Sequence, residues 1–395
     1  MNLIVPPLKQ QLIELIQTPS ISCNDPSIDQ SNQAVVTKLA GWLEDLGFRV
    51  EQLPVPGHPG KTNLLASLGS GPGGLVLAGH TDTVPFDDSG WNQDPFTLTE
   101  NQNRFYGLGT TDMKGFFPLA IEAAKAFVGQ NLKQPLMILA TADEETSMSG
   151  ARALVAMKKP QARYAIIGEP TGLRPIRLHK GITMERIRVH GQSGHSSDPS
   201  LGANAMEVMH AIISELMLWR TELQQKYQHP GFSIQHPTLN LGCIHGGDSA
   251  NRICGHCELD IDLRLIPGMQ LDQLRQELRQ RVNRVALVES QKQTQPIKVE
   301  CEALFEGIPA FETPASNALV QMAEQLTGYG ASSVAFGTEA PFLQELGTDT
   351  IILGPGDIDL AHQPNEYLAL DSIQPCVEIL KNFIRRICLE NAVAA

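Results

Sequence analysis

Charge is scarce in this chain of 395 residues: Asp, Glu, Lys and Arg make up only 18% of it, and aromatic residues 5%. A charge density that low argues against a disordered, solvating polymer. Basic residues are the scarcer sign, 30 against 43 acidic ones, for a formal net charge of −13. Without clustered Lys and Arg, neither nucleic acid nor an anionic membrane is expected as a partner. Long apolar runs are missing as well, none approaching the ~18 residues of a membrane-spanning helix. Met1–Lys9 carries neither a basic stretch nor a long apolar one, so the expectation is a soluble cytoplasmic protein. The seven cysteines, an odd number scattered from Cys23 to Cys388, read as reduced thiols and not as a disulfide framework. No G-x-S-x-G occurs, which weakens a serine-hydrolase reading.

What is present is enough apolar material, 42% of the residues, for two or three domains with sizeable cores. Leu8, Leu12, Leu15 and Ile16 recur at helical spacing, as do Val35, Val36, Leu39, Leu43 and Leu46 before Gly47. Short strand-like segments come next at 48–55, 63–68, 74–80, 135–141 and 164–168, with a helix expected over 116–128. The runs Leu75–Ala78, Leu136–Ala140 and Ala165–Ile167 are continuously apolar, as central strands covered on both faces must be. Alternating strands and helices predict a three-layer αβα domain around a largely parallel sheet.

From about residue 183 the pattern changes. Residues 185–190 alternate, 203–227 read as a long helix, and Leu259, Ile261, Leu263 and Leu265 keep strict period 2. With a strand over 238–244, a helix through Leu271, Leu274, Leu278 and Val282, and a strand over 296–304, the order is βαββαβ, a ferredoxin-like arrangement. Helix over 315–326, strand over 350–353 and an amphipathic helix over 373–387 then resume the first pattern. The simplest organisation is one domain over 1–182 and 300–395, interrupted by a second over 183–299.

Ligands of open α/β sheets bind outside the carboxyl ends of the strands. At those ends stand His80 with Asp82; Asp143, Glu144 and Glu145; Glu169; and His362, while Asp112 lies in the loop before the helix at Phe116. A single His after a strand is more often core than ligand, a single Asp before a helix is most often a cap, and a Glu pair is usually a solvated face. Coincidence at four strands of one sheet is harder to assign to chance. Two imidazoles and three carboxylates (His80, Asp112, Glu145, Glu169, His362) exceed the three protein ligands of a single catalytic zinc. They suit two divalent ions about 3.5–4 Å apart, each taking one His and one terminal Glu and sharing Asp112. Asp82, two residues beyond His80 in extended chain, can present its carboxylate to the ring's second nitrogen. Glu144 and Glu145 point in different directions, so one can ligate while the other faces a water as general base.

The stretches Gly79–Pro85, Gly107–Gly115, Ala142–Glu145, Ile167–Thr171 and Gly194–Ser197 resemble the M20 family of dinuclear-zinc amidohydrolases and peptidases, over essentially the whole chain. Asn240–Gly247, Phe336–Phe342 and His362–Leu368 narrow the resemblance to its deacylating members. It implies a zinc-peptidase-like catalytic domain with an inserted lid and dimerisation domain, and two divalent ions, Zn²⁺ or alternatively Co²⁺. His80 and Glu169 would hold one ion, Glu145 and His362 the other, with Asp112 bridging and Glu144 as the base. His195, in several relatives supplied by the partner subunit of a homodimer, would stabilise the oxyanion with Asn251 beside it, and Arg252 would bind the substrate's α-carboxylate. Relatives often carry a cis peptide after the bridging Asp, here Asp112–Met113, and many have a second acid where this chain has Met113. The expected reaction is hydrolysis of N2-acetyl-L-ornithine to L-ornithine and acetate, a step of arginine biosynthesis, with Glu339 meeting the cationic side chain. Alternatives are a succinyl-diaminopimelate desuccinylase, an aminopeptidase, a non-catalytic metal-binding protein and a nucleotide-dependent oxidoreductase.

Three features are discounted. Gly69–Gly74 fits G-x-G-x-x-G, but it contains Pro72 and precedes a strand, so it reads as a turn. Cys254 and Cys257 have C-x-x-C spacing with no second pair nearby. Met206, Met209 and Met217 read as helix packing.

Overall fold

The computed structural model describes residues 5–293 and 295–390. Two helices, α1 (Leu8–Ile16) and α2 (Gln33–Asp45), open the chain, followed by strands β1 (Arg49–Pro54), β2 (Thr62–Leu68) and β3 (Leu75–His80). Then come β4 (Thr99–Asn101), β5 (Arg104–Tyr106), α3 (Phe116–Lys125), β6 (Leu136–Thr141), α4 (Ser149–Met157), β7 (Tyr164–Pro170) and β8 (Ile176–His179). The next stretch holds β9 (Gly181–His190), α5 (Ala205–Lys226), β10 (Thr238–Gly246), β11 (His256–Leu265), α6 (Leu271–Ser290), β12 (Lys298–Ala303) and β13 (Phe311–Glu312). The chain finishes with α7 (Ala318–Thr327), β14 (Ser332–Val334), α8 (Ala340–Glu345), β15 (Asp349–Gly354), β16 (Tyr367–Ala369) and α9 (Leu370–Ile384).

Two compact units divide these elements. The first comprises 1–177, 313–332 and 338–395; the second comprises 178–312 and 333–337. The second unit therefore extends beyond 183–299 because β12 is hydrogen-bonded along β9, from Lys298 opposite His190 to Ala303 opposite Glu185.

In the first unit the sheet order runs β1-β2-β6-β3-β7-β15-β8. β6, β3, β7 and β15 are mutually parallel, and β1, β2 and β8 flank them with antiparallel pairings. Three of the four parallel strands, β3, β6 and β7, carry the continuous apolar runs and are buried at every position. One large apolar cluster joins the sheet to α2, α3, α7 and α9 through Leu39, Leu77, Phe117, Ile138, Ile166, Val320, Ile351 and Phe383. β16, β5 and β4 form a separate small sheet.

The second unit is a four-stranded antiparallel sheet of order β10-β11-β9-β12. Leu259, Ile261, Leu263 and Leu265 pack against Met209, Ile212, Leu216 and Trp219 of α5 and Leu274, Leu278 and Val282 of α6. The opposite face carries ion pairs such as Arg186 with Asp260 at 2.6 Å. Of the three methionines assigned to packing only Met209 is buried; Met206 is 47% and Met217 46% exposed. They sit 11 residues apart, about three helical turns, and so share a stripe outside the buried face of α5. Gly69–Gly74 is the turn between β2 and β3. All seven cysteines are free thiols.

Candidate metal centre

The order β6-β3-β7-β15 sets four parallel carboxyl ends side by side, and each delivers polar residues to the same end of the sheet. His80 is the last residue of β3, paired with Thr141 at the end of β6. Glu169 lies within β7, and His362 stands in the loop beyond β15. Glu144 and Glu145 come after β6 through Asp143, which adopts a positive φ of 64°. The Asp143 carboxylate accepts the hydroxyls of Thr146, Ser147 and Ser149 and stands 3.7 Å from Lys61 Nζ. It therefore shapes the loop that presents the two glutamates.

Asp112 is the meeting point. Its Oδ1 lies 2.9 Å from His80 Nε2, and its Oδ2 lies 3.3 Å from His362 Nε2. His80 Nε2 is also 3.8 Å from Glu169, and His362 Nε2 is 3.1 Å from Glu145. Ligand atoms of His80, Asp112 and Glu169 all lie within 4.8 Å of one another, and so do those of Asp112, Glu145 and His362. The two sets share only Asp112, and each contains one imidazole and one further carboxylate. His80, Glu144 and Glu145 form a third such set, so distance alone does not separate a ligating from a proton-transferring role for Glu144. The Asp112–Met113 peptide is cis.

The electrostatics of this donor set fit bound cations. Burial raises the Glu144 carboxyl well above its ordinary range; His80 opposes this, while Glu169, Glu145 and Glu339 add to it. Burial and then Asp112 likewise raise Glu169 well above its range, and the same two causes raise Glu145. Burial would also raise Asp112, but hydrogen bonds from His362 and His80 outweigh it and hold that carboxyl low. Hydrogen bonds to Asp112 and Glu145 push His362 up to about 10. So many acids crowded together out of water are compensated when divalent ions bind among them.

His80 Nδ1 meets the backbone carbonyl of Asp82 at 3.0 Å, whereas the Asp82 carboxylate stands 3.7 Å from that nitrogen. Asp82 is instead spent on the backbone: its Oδ2 accepts the N–H of Glu145 at 3.1 Å. Glu339 stands at the position just before α8 without a side-chain bond to that helix; it is 3% exposed and accepts the Thr141 hydroxyl at 2.7 Å. Its other oxygen has no hydrogen-bond partner, and burial pushes its carboxyl up to about 7. In the second unit, His195 pairs with Arg252 in a β-bridge, and Ser196 N–H donates to the Asn251 carbonyl at 3.1 Å. These three are brought together in sequence-distant loops, with Arg252 paired to Asp248 at 2.6 Å. Glu366 went unrecognised in the sequence although it lies only four residues after His362. It is buried and bonded to the backbone of the Asp112 loop.

Residues 76–386 match the profile of peptidase family M20/M25/M40. The chain is 53% identical to an acetylornithine deacetylase of Edwardsiella ictaluri, covering 95% of this chain and 96% of that protein. It is 48% identical to an acetylornithine deacetylase of Photorhabdus laumondii, covering 99% and 100%. Among solved structures it resembles an M20 family metallo-carboxypeptidase from Sulfolobus solfataricus, with a TM-score of 0.73 at 20% identity over 96% of this chain and 98% of that one. Profile, full-length relatives and fold agree, and the chain belongs to peptidase family M20.

Proposed function

We propose that the chain hydrolyses N2-acetyl-L-ornithine to L-ornithine and acetate, the ornithine serving arginine biosynthesis. The observation that carries the hydrolytic reading is Asp112, one oxygen facing His80 and the other His362, each beside a second carboxylate. The substrate is carried by full-length relatives of about 50% identity that are named acetylornithine deacetylases.

His80 and Glu169 would hold one divalent ion and Glu145 and His362 the other, with Asp112 between them; Zn²⁺ fits these borderline N and O donors, and Co²⁺ is the alternative. Two such ions supply Lewis-acid polarisation of the acyl carbonyl and acidify a water. Glu144, half-buried beside His80 and Glu145, would take a proton from the water that attacks the acetyl carbon and return it to the departing α-amine. His195, with Asn251 beside it, stabilises the oxyanion, and Arg252 exchanges Asp248 for the substrate's α-carboxylate. Asp82 fixes the backbone of Glu145. We place the protein in the cytoplasm as a homodimer, a state supported by the exposed Met206, Met217, Leu218, Leu287 and Val288 of α5 and α6.

Steady-state hydrolysis of N-acetylornithine, N-succinyl-diaminopimelate and a tripeptide by zinc-loaded protein, each with a chelated control, tests the reading. Chelator-sensitive turnover with the highest kcat/KM on N-acetylornithine is expected. Preference for either other substrate overturns the assignment, and turnover unaffected by chelation removes the metal.

A further inference from the structure

Glu366 touches neither imidazole of the centre, yet it is bound to the backbone of the residue that joins the two donor sets. Its Oε1 accepts the N–H of Thr111 at 2.7 Å and that of Asp112 at 3.0 Å, and its Oε2 accepts the N–H of Gly109 at 3.1 Å. Its own carbonyl accepts the N–H of Gly107 at 3.1 Å. One residue, 1% exposed, thus holds four backbone amides of the segment 107–112. Next to it, the Tyr367 carbonyl accepts the Thr111 hydroxyl at 2.6 Å.

Burial pushes the Glu366 carboxyl up to about 8, and burying such a group is costly unless its oxygens are paired. Three converging N–H groups meet that requirement. They also fix the backbone torsions from which the Asp112 side chain departs. Lys114, two residues beyond Asp112, is fully buried, donates to the Thr18 carbonyl at 3.0 Å, and is the cation whose charge Glu366 and Asp82 face. The backbone on both sides of Asp112 is therefore anchored, by Glu366 through three N–H groups and by Lys114 through the Thr18 carbonyl.

We propose that Glu366 is a positioning residue for the bridging carboxylate. By fixing the Asp112 backbone it keeps Oδ1 toward His80 and Oδ2 toward His362, and so sets the affinity for both ions together. The proposal rests on the two-ion reading above. Its distinguishing consequence comes from topology: Asp112 belongs to both donor sets, whereas Glu169 belongs to one. A defect at Glu366 must weaken two ions, and a defect at Glu169 first weakens one.

The test is a calorimetric titration of Zn²⁺ into metal-free full-length protein, for the wild type, Glu366→Gln, Glu366→Asp and Glu169→Gln, alongside the unfolding midpoint of each metal-free protein. The Gln side chain can still present its amide oxygen to Thr111 and Asp112, but it sets an N–H₂ group against the Gly109 donor. Asp keeps the charge one methylene short. The wild type is expected to bind two ions. Glu366→Gln should bind both about 10–100-fold more weakly, the usual effect of losing a partner that orients a ligand, with the metal-free unfolding midpoint lowered only by the loss of the buried Gly109 bond. Activity of Glu366→Gln should recover as Zn²⁺ is raised. Unchanged affinity for both ions, loss confined to one ion, or a lowered midpoint without loss of affinity overturns the proposal. If Glu366→Gln does not fold, Glu366→Asp decides by the same criteria. A wild type that does not bind two ions defeats the two-ion reading itself, an outcome distinct from two ions bound equally by wild type and variant.

Discussion

Asp82 accepts the backbone N–H of Glu145 at 3.1 Å, so a side chain just beyond β3 holds the loop after β6. The contact orients a proposed ligand through its backbone, while the His80 ring is served by the Asp82 carbonyl. Asp82→Ala is expected to lower kcat/KM by about 10–100-fold at limiting Zn²⁺. Asp82→Asn, whose amide oxygen can still accept the Glu145 N–H, should lose less. Equal losses in kinetics at defined free Zn²⁺ would show that the charge of Asp82, and not this hydrogen bond, matters.

Glu144 lies within ligand distance of His80, but removing a base and removing a ligand have different signatures. Glu144→Gln should reduce kcat by about 10²–10⁴ while leaving two ions bound. Metal content by atomic absorption, measured on the same sample as kcat, separates the cases. Turnover within about tenfold of wild type with full metal content excludes the base role.

Glu339 brings a buried carboxyl to the site, pushed up to about 7 by burial, with one oxygen unpartnered and the other bound by Thr141. If it reads the cationic side chain of ornithine, Glu339→Gln should lower the preference for N-acetylornithine over N-acetylmethionine by about 10–100-fold, the worth of one hydrogen bond to a charged group. A fall in kcat on both substrates with an unchanged ratio would assign Glu339 to bracing the end of β6.

His179, which is not one of the proposed metal ligands, predicts a pH dependence of stability. Burial lowers its imidazole from 6.5 to about 4, and its Nδ1 donates to the Lys180 carbonyl. Between those values the unfolded chain binds a proton that the folded one refuses. The contribution to stability is therefore fully present above pH 6.5 and is lost as pH falls toward 4, by about 1 kcal/mol at pH 5.5 and about 3 kcal/mol in all. Urea unfolding at pH 7.5 and 5.5 should show this loss in the wild type and not in His179→Gln. Parallel pH profiles of the two proteins would rule out the linkage.

Part of the fold was legible because burial on both faces forces a continuous apolar run, and Leu75–Ala78, Leu136–Ala140 and Ala165–Ile167 each became a central parallel strand. Period 2 in Leu259–Leu265 likewise identified a sheet with one covered face. The strands β4, β5 and β16 were not legible: each has three residues, and Tyr106 pairs with Tyr367 from far along the chain. Helix α4 was missed because it opens Ser149-Gly150, a poor helical start. There a Cβ on Gly150 would come 2.4 Å from the Ala142 carbonyl, so the glycine answers a close approach and not a propensity.

By itself the sequence determined which residue types stand at the carboxyl ends of the apolar strands, because strand direction and chain order dictate the residues that emerge from each run. His80, Glu144, Glu145, Glu169 and His362 could be named on that basis. Only the tertiary structure decided that Asp112 offers a different oxygen to each imidazole, that Asp82 serves Glu145, and that Glu366 holds the Asp112 backbone. Those contacts join atoms at least 32 positions apart through hydrogen bonds whose donors are often backbone N–H groups. Every residue except proline carries such a donor, so residue type gives no sign of which will be used until the chain is folded.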